Sequence, residues 1–193
     1  MDRARAFQIL TANIKNPNLI KHHLAAEAVM KALYKRLTDQ SSYAKATEDK
    51  WGIVGLLHDA DYEETKDMPE KHTAILEEKI GKELEPEVLY AIKSHAYNYN
   101  PNGVEPKSAM DWSMYCCDEL TGFIIATALV KPDKKLSSVD VDSVLKKMKD
   151  PSFARAVDRN QIKSCEEKLK IPLNEFVEIA LKSMQSISND LGL

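Results

Sequence analysis

Apolar residues recur along almost the whole chain at the 3.6-residue spacing of one helix face, and no stretch alternates in the manner of a strand. The pattern predicts helices over Asp2–Ile14, Leu19–Leu37, Lys50–His58, Pro69–Ile80, Pro86–His95 and Lys107–Val130. Shorter ones follow over Val139–Lys149, Pro151–Val157 and Arg159–Leu169, with a last amphipathic one over Pro172–Ser188. Asn16–Asn18 breaks the first helix and caps the second. Pro69 suits a first helical turn. The polar, small residues Thr38–Asp49 and the turn-rich Ala96–Gly103 read as loops, and Lys131–Lys135 ends the longest helix. The expected fold is all-α, an irregular helical bundle around one core.

The chain has 193 residues, enough for one domain spanning 1–193 that buries roughly 70% of the surface its unfolded chain exposes. A formal charge of −3 and a pI near 6.0 lack the basic footprint of a nucleic-acid binder, so no long nucleic acid is expected as a partner. Three cysteines without a CxxC pattern point to a reducing compartment. No run approaches the ~18 apolar residues of a membrane span, and the first ten residues lack a signal-peptide core. A cytoplasmic protein without membrane partners is the expectation.

The five histidines change the picture. On the first long helix His22 shares a face with Ala25, Ala26, Val29 and Leu33, which turns it inward. His23 lies about 100° round, beside Glu27, Met30 and Tyr34, and is expected to be the more peripheral. His58 ends the apolar run "WGIVGLLH" and is followed by Asp59. His72 sits one turn into its predicted helix, and His95 closes "VLYAIKSH". Asp118 stands on an apolar stripe with Met114, Tyr115, Gly122 and Ile125, where a carboxylate is costly unless paired or metal-bound. No lysine or arginine lies within a turn on that stripe. His22, His58, Asp59, His72, His95 and Asp118 form a buried-side polar set of imidazoles and carboxylates, the ligands that suit Fe, Mn, Co, Ni or Zn. Six groups exceed the need of one tetrahedral site, whereas two ions bridged by Asp59 would use them all. Taken singly, each histidine is more often an ordinary polar residue; the ordered constellation carries the metal reading.

The order H…HD…D, with His22 in "NLIKHHLAAEAVM", His58 and Asp59 in "GLLHDADYE" and Asp118 in "CCDELTGF", resembles the HD-domain metal-dependent phosphohydrolases. His72 in "PEKHTAIL" and His95 in "AIKSHAYNY" match the extended form that holds two metals. The resemblance covers roughly 19–136 as an HD core, with C-terminal helices at about 137–190 expected to pack on it, and the chain is similar to small stand-alone bacterial and archaeal HD hydrolases. It implies a first metal on His22, His58, Asp59 and Asp118, and a second on Asp59, His72 and His95. It further implies a metal-activated water acting on a nucleotide or other small phosphorylated metabolite, with His58 and Asp59 at the catalytic centre.

Around that centre Glu63, with Asp61 and Glu64, is a candidate for proton transfer to the leaving group. Lys21 is the first candidate cation for phosphate, followed by Lys93, Lys134, Lys135, Lys146, Lys147, Arg155 and Arg159; each also reads as a solvated surface charge. Tyr97 and Tyr99 are candidates to stack a base. The cysteines look structural, and the exposed side of the last helix offers a homodimer contact. Two other readings remain at this stage: a di-iron centre that activates oxygen, and a regulatory module that holds metal without turnover.

Overall fold

A computed structural model describes residues 1–38 and 44–193. Among them there is no strand; the chain is an all-α bundle. Its helices are α1 (Arg3–Asn13), α2 (Pro17–Leu37), α3 (Ala44–Leu57), α4 (Tyr62–Thr65), α5 (Ala74–Ile80), α6 (Pro86–His95), α7 (Ala109–Leu129), α8 (Val141–Met148), α9 (Arg159–Lys168), α10 (Leu173–Ser186) and α11 (Ser188–Leu191). No helix among the described residues is long and apolar enough to cross a membrane.

The helix starts follow local chemistry. Asp2 accepts from Arg5 N at 2.8 Å, and Asn16 accepts from Asn18 N ahead of Pro17. Ser108 and Asp111 form a reciprocal capping box at α7, as do Asp140 and Ser143 at α8.

Helix α2 is the axis of the bundle. It makes the largest helix pair with α3 and also packs on α7 and α10. At Gly55 the backbones of α2 and α3 touch: a side-chain carbon there would lie 2.6 Å from the Ala26 carbonyl. Gly55 stands three residues before His58, and Ala26 four after His22. This one close approach therefore draws the two histidine-bearing turns together.

Three sequence expectations change. Helix α3 begins at Ala44, so the expected loop Thr38–Asp49 is helical over its last six residues, while 39–43 lie outside the described residues. The polar turns of α3 are pinned from outside: Glu48 pairs with Lys35 at 2.9 Å, and Lys50 pairs with Glu85 and Glu87 at the start of α6. The expected helix Pro69–Ile80 is broken. A short 3₁₀ turn, Pro69–Lys71, precedes α5, and Thr73 between them has φ 64°, a left-handed conformation that strains a β-branched residue. The segment Pro151–Val157 forms turns rather than a helix. The Arg159 guanidinium binds the carbonyls of Met148, Asp150, Phe153, Ala154 and Val157, gathering that stretch of backbone around one cation.

Candidate metal centre

His58 directly follows the end of α3, and His95 is the last residue of α6. At a helix C-terminus the last carbonyls lack intrahelical donors, so a nearby ring N–H finds an acceptor there. His58 Nδ1 donates to Gly55 O at 2.9 Å, and His95 Nδ1 donates in the same i−3 pattern to Ile92 O. His72 Nδ1 donates to Asp61 Oδ1 at 2.9 Å. His22 Nδ1 meets Thr121 Oγ1 at 3.2 Å; the Thr121 hydroxyl gives its own proton to Asp118 O, so it accepts from the ring. All four rings are thereby fixed with Nδ1 as the donor and Nε2 turned to the interior, assigned from the acceptors present.

The Nε2 atoms converge in two closed triangles. His22 Nε2 is 3.0 Å from His58 Nε2, and the two lie 3.2 and 3.3 Å from Asp118 Oδ1. His72 Nε2 is 3.0 Å from His95 Nε2, and these lie 3.2 and 3.0 Å from Asp59 Oδ1. Asp59 connects the triangles, because its Oδ2 is 3.9 Å from His58 Nε2. His22, His58 and Asp59 form one group able to hold a metal ion, and Asp59, His72 and His95 form another. Two donors each about 2.1 Å from one ion and at right angles to one another stand about 3.0 Å apart. The observed edges lie near that spacing, so the donor sets could hold a metal ion.

The charges of these side chains follow the same geometry. Burial opposes ionisation of Asp118, yet the imidazoles of His58 and His22 hold its carboxyl far below the usual range. Burial likewise acts against ionised Asp59, which His58, His72 and His95 hold well below its ordinary value. Burial would lower His72, but the carboxylates of Asp59 and Asp61 raise it to about 10. His22 is raised against its burial by Asp118. Glu119, the next residue on α7, is pushed up to about 7 by burial and then by Asp118.

The structure thus brings together His22, His58, Asp59, His72, His95 and Asp118. His23 corrects the helical-face expectation. It is wholly buried, while the His22 side chain keeps 19% of its surface exposed. A one-face reading of α2 fails because α3, α7 and α10 pack on several of its sides. Neither ring nitrogen of His23 has a hydrogen-bond partner among the described residues, and its ring centroid lies 5.0 Å from that of His58.

Glu63 is not at the centre. Its carboxylate accepts the backbone N–H groups of Lys15 and Asn16, both at 2.7 Å, and so ties down the α1–α2 turn. Lys21 is also turned elsewhere: it lines a hollow with Asn18, Ile125, Leu129 and Leu191, its amine against Gly192. Lys93 pairs with Glu77 at 2.6 Å, and Arg159 is engaged by backbone carbonyls. Glu64 pairs with Lys79.

Asp61, named from sequence as a candidate for proton transfer, is buried. It binds His72 through one oxygen and Leu76 N at 3.0 Å through the other. Thr121 and Glu119 gave no sequence signal beyond adjacency to the Asp118 turn. Of the two loop tyrosines, Tyr97 packs on Tyr115, whereas Tyr99 stands against His95 with ring centroids 6.3 Å apart. The three cysteines are free and buried, and burial raises all three thiols, Cys165 to about 12; none is poised as a thiolate.

Comparison of the chain with family models, with curated proteins and with solved structures returns no match in any of the three.

Proposed function

We propose that this chain is a metal-dependent phosphohydrolase of the HD-domain type, acting on a nucleotide or another small phosphorylated metabolite. The observation that supports the reading is the shared orientation of four histidines, each with Nδ1 held by an acceptor and Nε2 directed at a carboxylate oxygen. Metal-binding histidines are held in this way, through the N–H that does not face the ion.

Hydrolysis forms a bond from a water oxygen to phosphorus and breaks the bond from phosphorus to the ester oxygen. One water proton ends on the departing oxygen. Bound Fe, Mn, Co, Ni or Zn ions would lower the pKa of that water and neutralise charge on the phosphoryl oxygens. The chain's own contribution is positional. His22, His58 and Asp118 would hold one ion and His72 and His95 the other, with Asp59 within reach of both. Asp61 and Thr121 keep the rings from turning.

The test is phosphate release from mono-, di- and cyclic nucleotides and sugar phosphates with Mn, Co or Fe added, with Asp59→Ala alongside. Metal-dependent release that the variant lacks is expected. No release from protein that holds two metals overturns the reading.

One feature favours a second reading. Each triangle consists of two imidazoles and one carboxylate, the donor set of non-haem iron sites that activate oxygen. Iron incorporated anaerobically and followed by oxygen consumption would support it. An iron-loaded protein inert to oxygen would remove it.

A further inference from the structure

Four large hydrophobic side chains are strongly exposed among the described residues: Tyr62, Tyr99, Leu129 and Val130. The last two stand at the end of α7. Both tyrosines lie against histidines of the second triangle. Tyr62 is 6.4 Å, centroid to centroid, from His72 at an interplanar angle of 90°, and Tyr99 is 6.3 Å from His95 at 66°. Neither ring is stacked flat on its histidine, and 43% of Tyr62 and 56% of Tyr99 remain open.

The backbone that carries these rings is tied to the centre. Tyr62 N donates to Asp59 O at 2.8 Å, so its backbone is tied to the residue both triangles share. Tyr99 rides on the loop 96–103, which is fastened to the turn carrying His72. The Asn102 amide donates to Glu70 O at 2.6 Å and to His72 O at 3.0 Å, and the Asn100 amide donates to Pro69 O. Gly103 closes the loop where a side-chain carbon would collide with Ala96 O. An exposed aromatic ring costs hydrophobic free energy, and here two stand beside the candidate ligand set on backbone tied to it. Meanwhile Lys21, Lys93 and Arg159, nominated from sequence to grip phosphate, are engaged elsewhere.

We infer that Tyr62 and Tyr99 form an aromatic rim that reads a flat ring carried by the substrate beside its phosphoryl group. The inference rests on the phosphohydrolase reading above and adds its specificity-determining residues. Recognition then comes from ring contact, and a phosphorylated sugar that carries no flat ring is held by the metal centre alone.

The test measures binding to the Mn-loaded protein by calorimetry. The probes are the non-hydrolysable 5′-methylenephosphonates of adenosine and of methyl β-ribofuranoside, in which a methoxy group replaces the flat ring at a locked C1′. Wild type should bind the adenosine compound at least about tenfold more tightly. Tyr62→Ser and Tyr99→Ser should shrink that preference several-fold each, and the double variant should abolish it, with the riboside compound unaffected. Tyr62→Phe and Tyr99→Phe should retain it. Both side chains are exposed, so metal content should be unchanged, and it serves as the check on folding. Equal binding of the two compounds by wild type, no binding of either, or a preference that survives in the double serine variant overturns the rim. Phosphate release is measured separately. A ring preference that depends on the tyrosines without release from any phosphate ester would leave the rim standing and the phosphohydrolase reading overturned.

Discussion

Nε2 of His72 and Nε2 of His95 face each other at 3.0 Å, while the Nδ1 of each ring is bound to an acceptor, so at most one of the facing nitrogens carries a proton. His22 and His58 repeat the relationship at the same distance. Two buried imidazoles arranged in this way repel if both are charged and gain little if both are neutral. One cation shared between them, a proton or a metal ion, removes the conflict.

Asp61 fixes the His72 ring from behind. Replacing it, Asp61→Asn, swaps an acceptor for a group that can present an N–H to His72 Nδ1. Affinity for the second ion should fall about 10- to 100-fold, with the first ion retained. Titration with Mn against a chromophoric chelator measures both. Unchanged affinity for both ions would detach Asp61 from the centre.

His23 is buried beside His58 with both ring nitrogens unpartnered among the described residues. An unpaired buried polar group costs about 1–3 kcal/mol, so His23→Leu should raise stability by about 1 kcal/mol or more and leave metal content unchanged. Denaturant melts and elemental analysis of the variant decide the matter; loss of metal would make His23 a member of the centre.

The metal-free chain should show a distinct pH profile. His72 is raised from 6.5 to about 10, so its contribution is full below about pH 6.5 and is lost as pH rises toward 10. Asp59 and Asp118 are lowered from 3.8, so theirs is full above about that pH and is lost as pH falls. Metal must displace the His72 proton, and its affinity therefore rises with pH. Thermal melts in chelator should peak between about pH 4 and 6.5 and decline above, while melts with Mn should hold or rise from pH 6.5 to 8.5. Parallel curves with and without metal would contradict this.

Polar residues on apolar stripes were readable from the chain. Asp118 amid Met114, Ile125 and Gly122 demanded a cation, and His58–Asp59 closing an apolar run demanded a reason to be there. Helical periodicity likewise located most elements. What escaped depends on contacts distant in sequence. Glu63 is taken up by backbone N–H groups 47 and 48 residues away, which no side-chain pattern announces. Asp61 meets His72 because the expected helix Pro69–Ile80 breaks at Thr73, a left-handed residue that helical spacing cannot foresee. His23 is buried because α2 has neighbours on several sides, where the face argument allows for one. The separation of Tyr99 from Tyr97 is set by asparagine amides holding the loop to the turn before His72.

The most direct measurement is the metal content of protein reconstituted with Mn and desalted, for wild type and for Asp59→Ala. Asp59 presents one oxygen to each triangle. Two ions per chain in wild type and none in the variant is the predicted result. Wild-type protein that retains no metal, or a variant that retains two ions, would contradict the assignment of a shared centre built on Asp59.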